Sequence, residues 1–148
     1  MKTTLNQALN ALQAIASSHL QLKGSFVFCD VADLEAKNEL KYPLLWCDVI
    51  PAQFGTKTID LNLQLTCVDM VSKGLENEQD VLSDTLQILS DVVTIIRQDS
   101  TYFDMFEINE SLTATPIKDH YQDEVAGWVC TISLEIENAY NLCVVPIT

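Results

Sequence analysis

Residues 56–73, TKTIDLNLQLTCVDMVSK, constrain the fold more than any other stretch. Ile59, Leu61, Leu63, Leu65 and Cys67 alternate with Thr58, Asp60, Asn62, Gln64 and Thr66. Successive side chains of a strand point to opposite faces, so this pattern specifies a strand with one oily and one wetter side. After Cys67 the phase changes, and Val68 and Met70 occupy the side that had been polar. A β-bulge near Cys67–Asp69 accounts for such a slip; so does a strand that leaves one packing surface for another. At roughly 3.3 Å per residue the segment could extend to about 45–50 Å, against about 20 Å for an ordinary strand. A small domain struggles to cover so long a strand by itself.

A second alternating stretch, DEVAGWVCTISLEIEN, spans residues 123–138. Trp128, Cys130, Ile132, Leu134 and Ile136 fall on one side, and Val129, Thr131, Ser133, Glu135 and Glu137 on the other. The expected strand is 128–137, with the acidic lead-in as a loop. MFEINESLTATPI before it also alternates and is the expected hairpin partner, joined through KDHYQDEVAG. PLLWCDVI, residues 43–50, is apolar on both faces and suits an inner strand. SFVFCD is a further short strand, and VADLEAKNELK a polar loop with a helical turn.

Two helices complete the pattern. Thr4 and Gln7 have the spacing of a capping box, followed by Leu5, Ala8, Leu9, Leu12, Ile15 and Ala16 at helical intervals, with Gly24 as the breaker. Asn77 is the expected cap of a second helix running to about Gln98, with Glu78 and Asp80 at its positive end. Leu82, Leu86, Leu89, Val93 and Ile96 form its stripe, widened by Val81, Ile88, Val92 and Ile95. The tail NLCVVPIT is apolar and expected to dock. The order α-β-β-β-α-β-β, without a linker or repeat, specifies a single α+β domain, residues 1–148: a mostly antiparallel sheet with two main helices packed on it.

The net charge is −13, from 21 acidic and 8 basic residues. Nucleic-acid affinity usually rests on clustered Lys and Arg, and no such cluster occurs, which argues against sequence-specific binding. The apolar fraction of 48% excludes disorder as the main state. The odd count of five cysteines, without a CxxC pair, suggests neither a disulfide framework nor a zinc site; buried thiols are expected. Asn6, Gln7, Asn10 and Gln13 interrupt the apolar run a secretory signal needs, and Asp84 and Asp91 interrupt the most apolar helical run. A soluble protein made in the cytoplasm is expected.

Catalytic chemistry finds little support. Imidazole comes only from His19, at the end of the first helix, and His120, in an acidic loop. A Cys130–His120 dyad would place its thiol on the apolar side of a strand, where a thiolate is suppressed. Asp119, Asp123 and Glu124 lack the ligand spacing and the glycine of a calcium loop, and phosphate-binding and hydrolase motifs are absent. The expectation is no enzymatic activity, no catalytic residue, no cofactor and no metal.

The helix, the YPLLW strand, the long alternating strand, the acidic-capped helix and the C-terminal hairpin together resemble the tail-terminator (tail-completion) proteins of tailed bacteriophages and related neck and head–tail connector ring proteins. The segments NEQDVLSDTLQIL and DEVAGWVCTISLEI and the CVVPI ending are also similar to small structural proteins of phages and prophages. The resemblance is one of order and pattern over nearly the whole chain, and no family-wide functional residue carries over. It implies a non-enzymatic virion protein, present in host cytoplasm during assembly, that forms a homo-oligomeric ring, commonly of six subunits. Such a ring terminates the tail tube or joins tail to neck. Its partners would be itself and other tail or neck proteins, with DNA only as passing cargo and no membrane.

On this reading the strands 56–70 and 128–137 form a sheet that continues toward a neighbour. The candidate subunit-interface residues are Asp60, Asn62, Gln64, Val68, Met70, Trp128, Thr131 and Glu135. The alternative is a cytoplasmic oligomeric α+β domain that binds a small ligand or a partner protein.

Overall fold

The computed structural model of the chain describes residues 3–28, 41–71, 77–103, 105–117 and 125–147. Expectations concerning Cys29, the 31–40 loop, the 72–76 turn and the segment with Asp119, His120, Asp123 and Glu124 lie outside the described residues.

Two 13-residue strands, β4 (Thr58–Met70) and β7 (Val125–Glu137), form the spine of a seven-stranded sheet. They pair antiparallel without interruption, from Thr58 opposite Glu137 to Met70 opposite Val125. No bulge breaks this ladder, so the phase change after Cys67 has the other cause: β4 passes from one packing surface to another. Leu63, Leu65 and Cys67 lie in the main core, whereas Val68 joins Leu44, Trp46 and Val125 in a smaller cluster. Val68 is paired with Leu44 as well as Gly127, which places this cluster on the opposite face.

β2 (Leu44–Val49) and β3 (Gln53–Phe54) line the far side of β4, antiparallel to it, and β1 (Phe26–Phe28) adds parallel to β2. Between β2 and β3 the Ile50 N–H donates to the Asn62 carbonyl at 3.1 Å. Leu44, Leu45, Trp46 and Cys47 are all buried, so β2 is an inner strand covered on both faces. The expected hairpin partner of β7 is two short strands, β5 (Glu107–Ile108) and β6 (Ala114–Ile117). The strands 58–70 and 125–137 do form one sheet, and because β4 has a neighbour on each side, any continuation of that sheet toward another subunit starts from other strands. Among the described strands the open margins are β1 and β3 on one side and β5–β6 on the other.

β7 begins at Val125 rather than at Trp128. The glycine that suggested a loop serves a different need. A Cβ on Gly127 would stand 1.9 Å from the Cys67 carbonyl oxygen, so only glycine lets the two long strands approach there.

Helix α1 (Leu5–Ser18) carries the expected capping box: the Gln7 N–H donates to Thr4 Oγ1 at 3.3 Å, and the Thr4 N–H to Gln7 Oε1 at 2.8 Å. Ala8, Ala11, Leu12, Ile15 and Ala16 are buried on one side. Gly24, at φ +83°, sends its N–H back to the Ala16 carbonyl and ends the turn after the helix. Helix α2 (Glu78–Gln98) starts at Asn77, whose side chain makes no capping hydrogen bond. Glu78, Asp80 and Arg97 are placed to complement its dipole. Its buried face is Val81, Thr85, Ile88, Leu89, Val92 and Ile96, rotated from the expected stripe, and Leu86 is 42% exposed. Thr85 is the reason: its hydroxyl donates to the Val81 carbonyl at 2.7 Å, so it enters the core with its polar group satisfied. A four-residue helix, α3 (Ser100–Phe103), leads into β5.

Both main helices lie on one face of the sheet, over Leu45, Cys47, Leu63, Leu65, Cys67, Cys130, Ile132, Leu134 and Ile136. Side-chain hydrogen bonds tie the layers together. The Trp128 indole N–H donates to the Leu82 carbonyl at 2.8 Å, and Thr3 Oγ1 to the Met105 carbonyl at 2.6 Å. His19 Nδ1 faces the N–H groups of Gln21 and Leu22, so Nε2 carries the proton that meets Asp91 Oδ2 at 3.0 Å, joining α1 to α2. The product is a single α+β domain, a mixed, mostly antiparallel sheet with two main helices packed on it.

The C-terminal segment does not dock as expected. The Asn138 N–H donates to the Lys57 carbonyl at 2.8 Å and the Tyr140 hydroxyl to the Thr58 carbonyl at 2.9 Å. Beyond this anchor a single 3-10 turn, Leu142–Val144, leaves Leu142 71%, Val144 72% and Ile147 69% exposed.

Candidate functional site

The β4–β7 register sorts the candidate residues directly. Residues directly opposite each other in a ladder share a face, so Asp60, Asn62, Gln64, Val68, Met70, Thr131 and Glu135 all lie on the face opposite the described helices. Trp128 is opposite Cys67 and lies on the helix-covered face, half-buried and bonded to α2. Val68 is buried, 2% exposed, within the smaller cluster, whereas Met70 is 49% exposed.

The helix-free face divides along its length. At one end Leu44, Trp46, Val68 and Val125 pack with Val27 and Tyr42. The rest is polar. Gln53, Asp60, Glu135 and Glu107 stand in one cross-strand row through four strands. The next row pairs Asn62 with Ser133, and the one after it aligns Asp48, Gln64 and Thr131. Thr58 and Glu137 close the far end. No described strand residue on this face is Lys or Arg. Asn62 donates through Nδ2 to the Pro51 carbonyl at 2.8 Å, and Asp48 Oδ1 accepts the Val49 N–H at 2.8 Å.

Glu107 and Asp48 join this face only through strand register, and sequence alternation alone does not show which strands are neighbours. A face of carboxylates, amides and hydroxyls repels polyanions and holds water or basic groups. Among the described residues no group of three or more His, Cys, Asp or Glu side chains is arranged to hold a metal ion. Nor is any described helix long and apolar enough to cross a membrane.

The buried thiols Cys47, Cys67 and Cys130 lie elsewhere and are muted. Burial first, then the nearby Asp48, pushes the Cys47 thiol up to about 12; burial and then Asp69 does the same to Cys67, also to about 12. Cys130 is raised too, chiefly by burial, with Arg97 opposing.

A second feature, not visible in sequence, runs along α2 at the β5–β6 margin. β7 residues 134 and 130 pair with Ile108 and Ala114, so the margin holds two extra residues between β5 and β6. Asn109 bridges this interruption: its N–H donates to the Ser133 carbonyl at 3.2 Å, and its Oδ1 accepts the Ser133 N–H at 3.0 Å. Arg97 donates to the Asn109 and Glu110 carbonyls. On one side of Arg97 is a hollow of about 550 Å³ lined by Ile96, Phe106, Glu107, Ile108 and Glu110. On the other is a groove of about 260 Å³ of mixed character, in which Leu86, Leu89, Val93, Leu112, Ala114 and Cys130 share the lining with Ser90, Thr94, Arg97 and Glu110.

Compared with known proteins, the chain matches no protein-family model and no curated protein sequence.

Proposed function

We propose that the chain is a non-enzymatic structural protein of a tailed-phage virion, forming an oligomeric ring at the head–tail junction that terminates the tail tube or joins tail to neck. The observation that carries this reading is the two-sided sheet. Two 13-residue strands put their apolar positions under helices and present Asp60, Glu135 and Glu107 in one row on the other face. A negative wall without strand-borne Lys or Arg suits a lumen through which DNA passes without sticking. The order and pattern of elements, similar to tail-terminator proteins, supply the rest. The ring would sit in the virion and assemble in host cytoplasm, with itself and other tail or neck proteins as partners.

Negative-stain microscopy with light scattering on purified protein tests the reading. Closed rings with a central opening are expected; a monodisperse monomer or dimer at every concentration overturns ring formation by the protein alone. A second reading, a ligand- or partner-binding cytoplasmic domain, is favoured by the hollow of about 550 Å³ beside Arg97. It predicts that small oligomer together with saturable ligand binding weakened by Arg97→Ala.

A further inference from the structure

We infer that the C-terminal segment, residues 139–147, is an arm that docks in the α2–β6 groove of a second copy of this chain. The inference deepens the ring reading and rests on it only in requiring self-association.

The arm gathers several exposed apolar residues in one short segment that carries no charge. Residues 138–148, NAYNLCVVPIT, contain no charged side chain in a chain of net charge −13. It is therefore a segment that can meet another copy without bringing like charges together. Leu142, Val144 and Ile147 are each more than two-thirds exposed, although their residue types favour burial. The groove of about 260 Å³ offers apolar partners in Leu86, Leu89, Val93 and Leu112, with Leu86 itself 42% exposed, and its polar residues Ser90, Thr94, Arg97 and Glu110 leave room for the backbone polar groups of an extended arm.

The anchor of the arm argues that the groove belongs to another copy. Strand order places β4 on one side of β7 and β5–β6 on the other. Tyr140, at φ +49°, bonds through its hydroxyl to the Thr58 carbonyl, and Asn138 bonds to Lys57, so the arm leaves on the β4 side. The groove lies on the β6 side, across β7 from that anchor, which favours the groove of another copy over the arm's own. One surface donating to a different surface on the next copy is a heterologous contact, which closes into a ring when the rotation between copies allows it. An arm carried on a fixed anchor also loses less freedom on docking than a free peptide does.

The test uses the full chain. Leu142→Asp with Val144→Asp charges the arm at exposed positions, and Leu86→Asp charges the groove rim. Circular dichroism checks that each variant is folded. Light scattering is expected to show the wild-type oligomer reduced to smaller species by either change. A wild-type mass retained in both variants overturns the arm while leaving the ring reading standing. A wild-type protein that is monomeric throughout overturns both. Ser90→Cys supplies a partner for the exposed Cys143. Mild oxidation of Ser90→Cys,Cys143→Ser mixed with wild-type protein is expected to yield a covalent dimer, absent when wild-type protein is oxidised alone. No such dimer, or in the Ser90→Cys single variant a cross-link confined to one chain, overturns docking between copies.

Discussion

At Gly127 a single missing methyl group decides whether the two long strands can meet. The Cβ of an alanine would overlap the Cys67 carbonyl oxygen at 1.9 Å, and the nearest atoms are all backbone of β4, which cannot swing aside as a side chain can. Gly127→Ala should cost on the order of 3 kcal/mol, as overpacking against backbone does, and read out as a lowered melting temperature. The buried thiols make a second residue-scale prediction. Cys47 and Cys67 titrate at about 12 in the folded chain, against 9.0 ordinarily, because burial disfavours the thiolate. A raised folded value means that the unfolded chain loses these protons first. The associated stability is fully present below pH 9.0 and falls as pH rises toward about 12. Each thiol contributes a slope of about 1.4 kcal/mol per pH unit within that window. Denaturant titrations between the two values should show stability declining, and Cys47→Ala,Cys67→Ala should flatten the decline. With a thiol-specific reagent near neutral pH, the exposed Cys143 should react in the folded protein, whereas Cys47 and Cys67 wait for unfolding.

Among the elements, the interrupted margin of β7 is the weakest joint that the structure nevertheless completes. Asn109 stands in for strand backbone, bonding to both polar groups of Ser133 across the two-residue offset between β5 and β6. Asn109→Ala removes the acceptor and leaves the Ser133 N–H to water, at a cost of about 1 kcal/mol. Hydrogen exchange should quicken at Ser133 in that variant, with the β4–β7 ladder amides changing less. This joint was not legible in the sequence, where MFEINESLTATPI alternates well enough to read as one strand. Alternation reports faces and is silent about neighbours, which is also why the enclosure of β4 on both sides was not legible. The faces themselves were legible. The split of β4 and β7 into oily and polar sides follows the sequence residue by residue, and the Thr4–Gln7 box placed the start of α1. Composition misled at two places, and at a third, the apolar tail, it was silent about whether docking is within the chain or on another copy. Thr85 counts as polar but is buried by bonding to its own helix, and Gly127 counts as a turn former but serves strand contact; the apolar tail is exposed in the single chain.

For the molecule as a whole, the distribution of charge matters more than its total. Asp48, Asp60, Glu107, Glu135 and Glu137 share one sheet face, while the uncharged arm leaves from one end of it. Like charges directly opposite one another destabilise a ladder, and Glu135 sits between Asp60 and Glu107. Two copies of such a face brought together would add repulsion, and the chain holds only 8 basic residues to offset its 21 acidic ones. The face is therefore better suited to water, a lumen or a basic partner than to its own image. This separates two roles that the ring reading leaves together, lumen wall and subunit contact. Glu135→Gln relieves repulsion on both sides at once and should raise the melting temperature by roughly 1–4 °C at low ionic strength. The gain should shrink toward zero near 1 M salt, where screening reaches about 3 Å. If the face is a wall, the variant keeps the wild-type oligomer mass, and that is the expected result. A change of mass would instead put Glu135 in the contact between subunits, and the acidic face, with the arm, would hold the ring together.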